Sequence, residues 1–233
     1  MSSWQEGDVT VAGVRLHYTR TGGAKPPLVL AHGVTDDGPC WTPVAESLAP
    51  DYDIIMVDAR GHGFSDAPAT GYNLATLAAD LNGVITALEL QQPIILGHSM
   101  GAITALALAG LYPAVPQAIL LEDPPAWWFP AQDAPDLVGM RAWFLEMKQQ
   151  TRDELLNGQR TATPHWSEAE LTHCADSKFR VNPRSVQLFE PGISDSIPWP
   201  ECLPRITCPV LLITADPSLG AIVTPEAAQS LQT

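Results

Sequence analysis

The pentapeptide GHSMG at positions 97–101 constrains the fold of this chain more than any other feature. It lies between a short apolar run, Pro93–Leu96, and a longer one, Ala102–Ala109. The first run is typical of a strand buried on both faces, and the second of a helix that is apolar on nearly every side. The two glycines leave room for a sharp turn that exposes Ser99. The pattern therefore predicts a strand, a tight turn and a helix, with a serine at the turn.

Further short apolar runs, each closed by turn residues, predict more strands of the same sheet. They lie at Pro27–Ala31, Ile54–Val57, Ala118–Leu121 and Pro209–Thr214, and a hairpin is predicted over Val9–Tyr18. A helical pattern follows Asn73, whose side chain can cap it. Because strands and helices alternate, we expect a mostly parallel sheet with helices on both faces.

The stretch from Pro124 to Pro200 has a different character, because it is rich in Trp and Pro and lacks this alternation. Capping boxes at Thr151–Glu154 and Ser167–Glu170 predict two helix starts, and a third helix is expected after Pro135. We interpret this stretch as a helical cap inserted after the sixth strand. The predicted units are an N-terminal core part at 1–123, the cap at 124–200, and a C-terminal core part at 201–233.

Composition excludes several classes of partner. The net charge of −14 disfavours nucleic acid and anionic lipid. No apolar run approaches the roughly 20 residues of a membrane span, and no secretory leader is expected. Four cysteines without metal-type spacing suggest free thiols in a reducing cytoplasm. We predict a cytoplasmic protein that acts on a small molecule; whether it forms a homodimer is left open.

Ser99 is the candidate nucleophile. A serine hydroxyl reacts only when it is exposed, has a base in reach and faces donors for the developing oxyanion. The N–H of Met100 would be such a donor, because the first N–H groups of a helix have no partner within it. The alternative is an ordinary Gly-rich turn that carries an idle serine.

Three segments together resemble the α/β-hydrolase superfamily, in its capped branch of esterases, lactonases and C–C hydrolases. They are His32-Gly33-Val34 followed by Trp41, the turn at Asp58–Asp66, and the pentapeptide at 97–101, which matches the family's nucleophile elbow. The resemblance covers nearly the whole chain and implies the α/β-hydrolase fold. It also implies that the N–H groups of Val34 and Met100 form the oxyanion hole. Asp36 and Asp37, on the same loop as Val34, are expected to be solvated, and contact with a polar substrate is the alternative.

The resemblance further implies an acid and a histidine, which follow the serine in that order. Asp216, after the seventh strand, is the preferred acid, although the family's usual spacing would end on Ser218. Asp123, after the sixth strand, is the alternative acid. A pocket-lining or hinge role is the other interpretation of Asp123.

The histidine is missing from its expected place. His165 and His173 belong to the cap, and His98 should point away from Ser99 because adjacent residues on such a turn diverge. We therefore expect the catalytic histidine beyond residue 233, in a last strand and helix that this chain lacks. Hydrolysis by the chain as given is expected to be weak or absent.

The expected function is hydrolysis of a small-molecule carboxylic ester or lactone through an acyl-enzyme on Ser99. Trp127 and Trp128, directly after the sixth strand, are predicted to line the substrate pocket between cap and sheet. The alternative is that these rings only pack the cap against the core. The alternatives are C–C bond hydrolysis, perhydrolase or haloperoxidase-like chemistry, and a non-catalytic ligand-binding homologue or inactive fragment. No metal or organic cofactor is implied.

Overall fold

A mostly parallel sheet lies at the centre of the computed structural model, which describes residues 4–125 and 136–230. Its strands are β1 Gln5–Val11, β2 Val14–Arg20, β3 Pro27–Ala31, β4 Asp53–Val57, β5 Ile94–His98, β6 Ala118–Glu122 and β7 Val210–Ile213. The order across the sheet is β1-β2-β4-β3-β5-β6-β7. Strand β2 runs antiparallel to β1 and β4, and the other pairs are parallel. The predicted sheet is confirmed.

The helices have the following bounds: α1 Thr42–Leu48, α2 Leu74–Ala87, α3 Met100–Leu111, α4 Leu137–Met147, α5 Arg152–Ala162, α6 Glu168–Arg180, α7 Trp199–Cys202 and α8 Pro225–Ser230. Helix α2 begins where expected, because the Asn73 side chain accepts from the N–H of Thr76. Helix α3 is buried from Met100 to Gly110, in keeping with its apolar sequence. No helix in the described ranges is both long and apolar enough to cross a membrane.

The two faces of the sheet pack against different helices. The pairing aligns Val29 with Ile55 and with Ile95, and all three lie in the cluster that includes buried residues of α2 and α3. The alternate residues Leu30 and Met56 pack with Ala45 of α1. Strands buried on both faces need apolar residues at successive positions, which explains the short unbroken apolar runs.

Helices α4, α5 and α6 form the cap, between β6 and β7 in the chain. Both predicted capping boxes are present, at Thr151 and at Ser167. Their side chains accept from the third helical N–H, while the glutamates accept from the capping N–H groups. A small core of Phe144, Met147 and neighbouring residues holds the cap together.

Strand β7 lies at an edge of the described sheet, and its apolar side chains are poorly covered. Val210, Leu211 and Ile213 are 49%, 54% and 37% exposed. Apolar edge strands invite pairing with further chain, and natural proteins avoid leaving them open. The expected eighth strand stays a prediction.

Candidate active site

The turn between β5 and α3 holds Ser99 in a conformation that serine rarely adopts, with φ 49° and ψ −111°. Its N–H donates to the carbonyl of Glu122 at 2.9 Å. A Cβ atom on Gly97 would overlap the backbone of Gly101, and one on Gly101 would overlap that of Ala31. Both glycines are therefore required by close packing, and the strained turn presents Ser99 at the carboxyl end of the sheet.

Val34 and Met100 meet Ser99 around a single cavity. Helix α3 begins at Met100, so its N–H has no partner within the helix. The loop after β3 is anchored by two histidines: Nε2 of His62 lies 2.9 Å from the carbonyl of Val34, and Nε2 of His32 accepts from the loop after β4. The structure thus brings the candidate nucleophile and the two residues predicted to form the oxyanion hole to one cavity.

The loop that carries Val34 is also held by its two carboxylates. Asp37 is 0% exposed and accepts from Nε and Nη2 of Arg180 at 2.8 and 2.6 Å. The expectation that Asp37 is solvated was wrong. Arg180 is the last residue of α6, so this ion pair joins the cap to the loop. A contact across 143 residues leaves no local pattern in the sequence, which is why it was missed.

Asp36 faces His98 across 3.7 Å, and both line a cavity distinct from that of Ser99. Burial alone would raise the pKa of Asp36, but the adjacent His98 and His32 outweigh burial and lower it. Burial likewise opposes the charged form of His98, but Asp36 raises the pKa of His98 on balance. The His98 ring therefore lies away from Ser99 and is paired with the loop.

The two candidate acids lie in different surroundings. Asp123 is 9% exposed, has φ 46°, and accepts from the N–H groups of Ile222 and Val223 at 2.8 Å. Ile222 lines the Ser99 cavity, so one hydrogen bond connects Asp123 to it. Asp216 is exposed and accepts from the N–H of Ser218 within its own turn. Hydrogen bonding with the side chain of Ser218, together with this bond from its N–H, lowers the pKa of Asp216.

The Ser99 cavity has a volume of about 60 Å³ and an apolar lining. Helix α4 contributes Met140, and the segment before α7 contributes Leu188, Phe189 and Ile193. Sequence analysis missed these positions, because apolar periodicity marks buried residues without separating pocket from core. The predicted lining residues Trp127 and Trp128 lie outside the described residues.

The six histidines all fall in the described ranges, and none of them is among the residues that line the Ser99 cavity. His17 contacts Asp58, His32 and His62 hold loops, and His165 is exposed. The base beyond residue 233 stays a prediction.

Known proteins resemble this chain in sequence. A sequence model described as the alpha/beta hydrolase fold matches residues 26–215. N-formylmaleamate deformylase from Pseudomonas putida is 30% identical over 222 residues, which cover 94% of this chain and 80% of that protein.

Solved structures have a similar fold. N-formylmaleamic acid deformylase from Pseudomonas putida S16 aligns with a TM-score of 0.79 at 25% identity, over 97% of this chain and 86% of that one. The structure of E-2-(acetamidomethylene)succinate hydrolase aligns with a TM-score of 0.81 at 22% identity, over 97% and 85% of the chains, and supports the fold alone. With its elbow, parallel sheet and relatives named as hydrolases, this chain belongs to the α/β-hydrolase family of enzymes.

Proposed function

We propose that this protein is a serine hydrolase that cleaves a small-molecule carboxylic ester or lactone through an acyl-enzyme on Ser99. The observation that carries the proposal is the convergence of Ser99, Val34 and Met100 on one cavity. Oγ of Ser99 attacks the carbonyl carbon, and the two N–H groups hold the oxyanion that forms. Collapse expels the alcohol, and water then releases the acid and frees the serine.

The proposal includes a histidine that takes the Ser99 proton and returns it to the leaving group. We place this residue outside the 233 residues of the chain. Of the two candidate acids, the surroundings favour Asp123, which is buried and bonded to a residue of the Ser99 cavity. An exposed carboxylate such as Asp216 is screened by water and orients a histidine less well.

Amide hydrolysis is a second candidate, supported by the similarity to N-formylmaleamate deformylase. The same nucleophile and oxyanion donors serve attack on an amide carbonyl. C–C bond hydrolysis and perhydrolysis use this serine as well, and product analysis would separate them from ester cleavage.

Covalent labelling tests the proposal. A fluorophosphonate should add one adduct to the natural protein, mapped by mass spectrometry to Ser99, because the phosphonyl oxygen occupies the oxyanion hole. Ser99→Ala should abolish the adduct, whereas Ser47→Ala, at an exposed serine of α1, should label like the wild type. A folded wild-type protein that stays unlabelled would refute the nucleophile assignment.

A further inference from the structure

The charge of the acyl group is the property that the Ser99 cavity selects most directly. We infer that this cavity accepts a short, uncharged acyl group and discriminates against one that carries a carboxylate. The inference rests on the proposed function and names the substrate class of the same site.

The lining supplies almost no polar side chains. Apart from Ser99, the described lining residues are all apolar: Val34, Leu74, Met100, Ile103, Pro125, Met140, Leu188, Phe189, Ile193 and Ile222. The backbone donors of Val34 and Met100 are directed to the oxyanion in the proposed reaction. A second anionic group would therefore enter a surface built of methyl, methylene and ring carbons.

Basic residues on the neighbouring elements are already engaged. Arg180 binds the buried Asp37. Arg141 follows Met140 on α4, but its side chain is 45% exposed and lies 3.6 Å from Glu190. The ten residues between Pro125 and Asp136 are not described, and their sequence, AWWFPAQDAP, contains no Lys, Arg or His. The described lining thus offers no cation to a bound carboxylate.

The surrounding charge reinforces this selection. Glu122 ends β6 and Asp123 follows it, beside the turn of Ser99, and the whole chain carries a net charge of −14. A carboxylate that enters an apolar cavity loses its hydration, and here it also meets like charge instead of a compensating cation. Both effects oppose binding of an anionic acyl group.

The volume of the cavity favours a short acyl chain. A cavity of about 60 Å³ holds on the order of four water molecules, since each needs roughly 15 Å³ by this measure. That space suits an acyl group of a few carbon atoms. A butyryl group is therefore a suitable probe.

Methyl butyrate and monomethyl succinate form a matched pair, because the second carries a carboxylate where the first has a methyl group. Release of methanol gives kcat/KM for both at pH 7.5. We expect the natural protein to prefer methyl butyrate by roughly a hundredfold. Met140→Lys should reduce this ratio by about tenfold by placing an ammonium group at the cavity. Val138→Lys, at an exposed position of the same helix outside the described lining, should leave the ratio unchanged.

Equal or faster cleavage of monomethyl succinate would overturn the inference and leave the proposed function standing. If neither ester is cleaved and Ser99 stays unlabelled, the proposed function fails. The preference of the cavity for an uncharged acyl group is then tested by measuring ligand binding. Calorimetric titration of Ser99→Ala with N-phenylbutyramide and with N-phenylsuccinamate then compares the same acyl groups. Tighter binding of the neutral anilide supports the inference, and equal or tighter binding of the anionic one refutes it.

Discussion

Two residues of the site have a strained backbone. Ser99 follows β5, and Asp123 precedes the cap. Their φ values are 49° and 46°, which is unusual for residues other than glycine. Such a conformation costs of the order of 1 kcal/mol or more and persists where the surroundings impose it. The bond from Ser99 N–H to Glu122, the residue before Asp123, links the two positions.

This geometry separates the two candidate acids. Asp123→Asn should lower kcat/KM for an ester by roughly 10²–10⁴-fold, because an amide cannot stabilise the charged histidine of the triad. Asp216→Asn should change it by less than about threefold, because exposed carboxylates interact weakly with distant groups. Circular dichroism and thermal melting would establish that both variants fold. A larger loss of kcat/KM in Asp216→Asn than in Asp123→Asn would assign the acid of the triad to Asp216.

At the scale of elements, the ion pair of Arg180 and Asp37 joins the end of α6 to the loop that carries Val34. Arg180→Ala should reduce the free energy of unfolding by about 2–4 kcal/mol, because it leaves the Asp37 carboxylate buried without a partner. Urea denaturation measures the loss. Since the loop carries Val34, kcat should fall as well.

The cap supplies a matched control. Arg160 on α5 makes a comparable pair with Glu168, but both side chains are exposed. Arg160→Ala should therefore unfold at the same urea concentration as the wild type. Equal destabilisation by the two substitutions would show that burial of Asp37 does not increase the contribution of its ion pair with Arg180 to stability.

At the scale of the whole molecule, the buried pair of His17 and Asp58, 3.1 Å apart, makes stability depend on pH. The hydrogen bond to Asp58 raises the pKa of His17 despite its burial. Burial would raise the pKa of Asp58, but the bonds from His17 and from the N–H groups of Phe64 and Gly38 lower it overall. Each group thus favours the charged form of the other.

The two pKa shifts predict that the free energy of unfolding passes through a maximum as pH is varied. The contribution of Asp58 is complete above its ordinary pKa of about 4 and is lost as pH falls through the lowered value. The contribution of His17 is complete below about 6.5 and is lost as pH rises through the raised value. Urea unfolding between pH 3 and 9 should show the alkaline decline in the wild type and in the exposed-site control His165→Gln. His17→Gln should reduce that decline, and the remainder is expected from His98, whose pKa is also raised. A decline as large as that of the wild type would contradict the assignment.

Local patterns in the sequence were sufficient for much of the fold and part of the site. Periodicity predicted the strands, Asn73, Thr151 and Ser167 predicted helix starts, and the spacing of glycines predicted the turn at Ser99. These features depend on residues close together in the chain, where sterics and hydrogen bonding act directly. The oxyanion positions came from resemblance.

The tertiary structure decided which residues surround those local features. It joined Asp37 to Arg180 across 143 positions and Asp123 to Ile222 across 99, and it made the Ser99 cavity apolar with residues from the cap. The sequence by itself determined the elements and the nucleophile candidate. The charge and shape of the site were decided only by folding, because desolvation and long-range ion pairs depend on which distant segments come into contact.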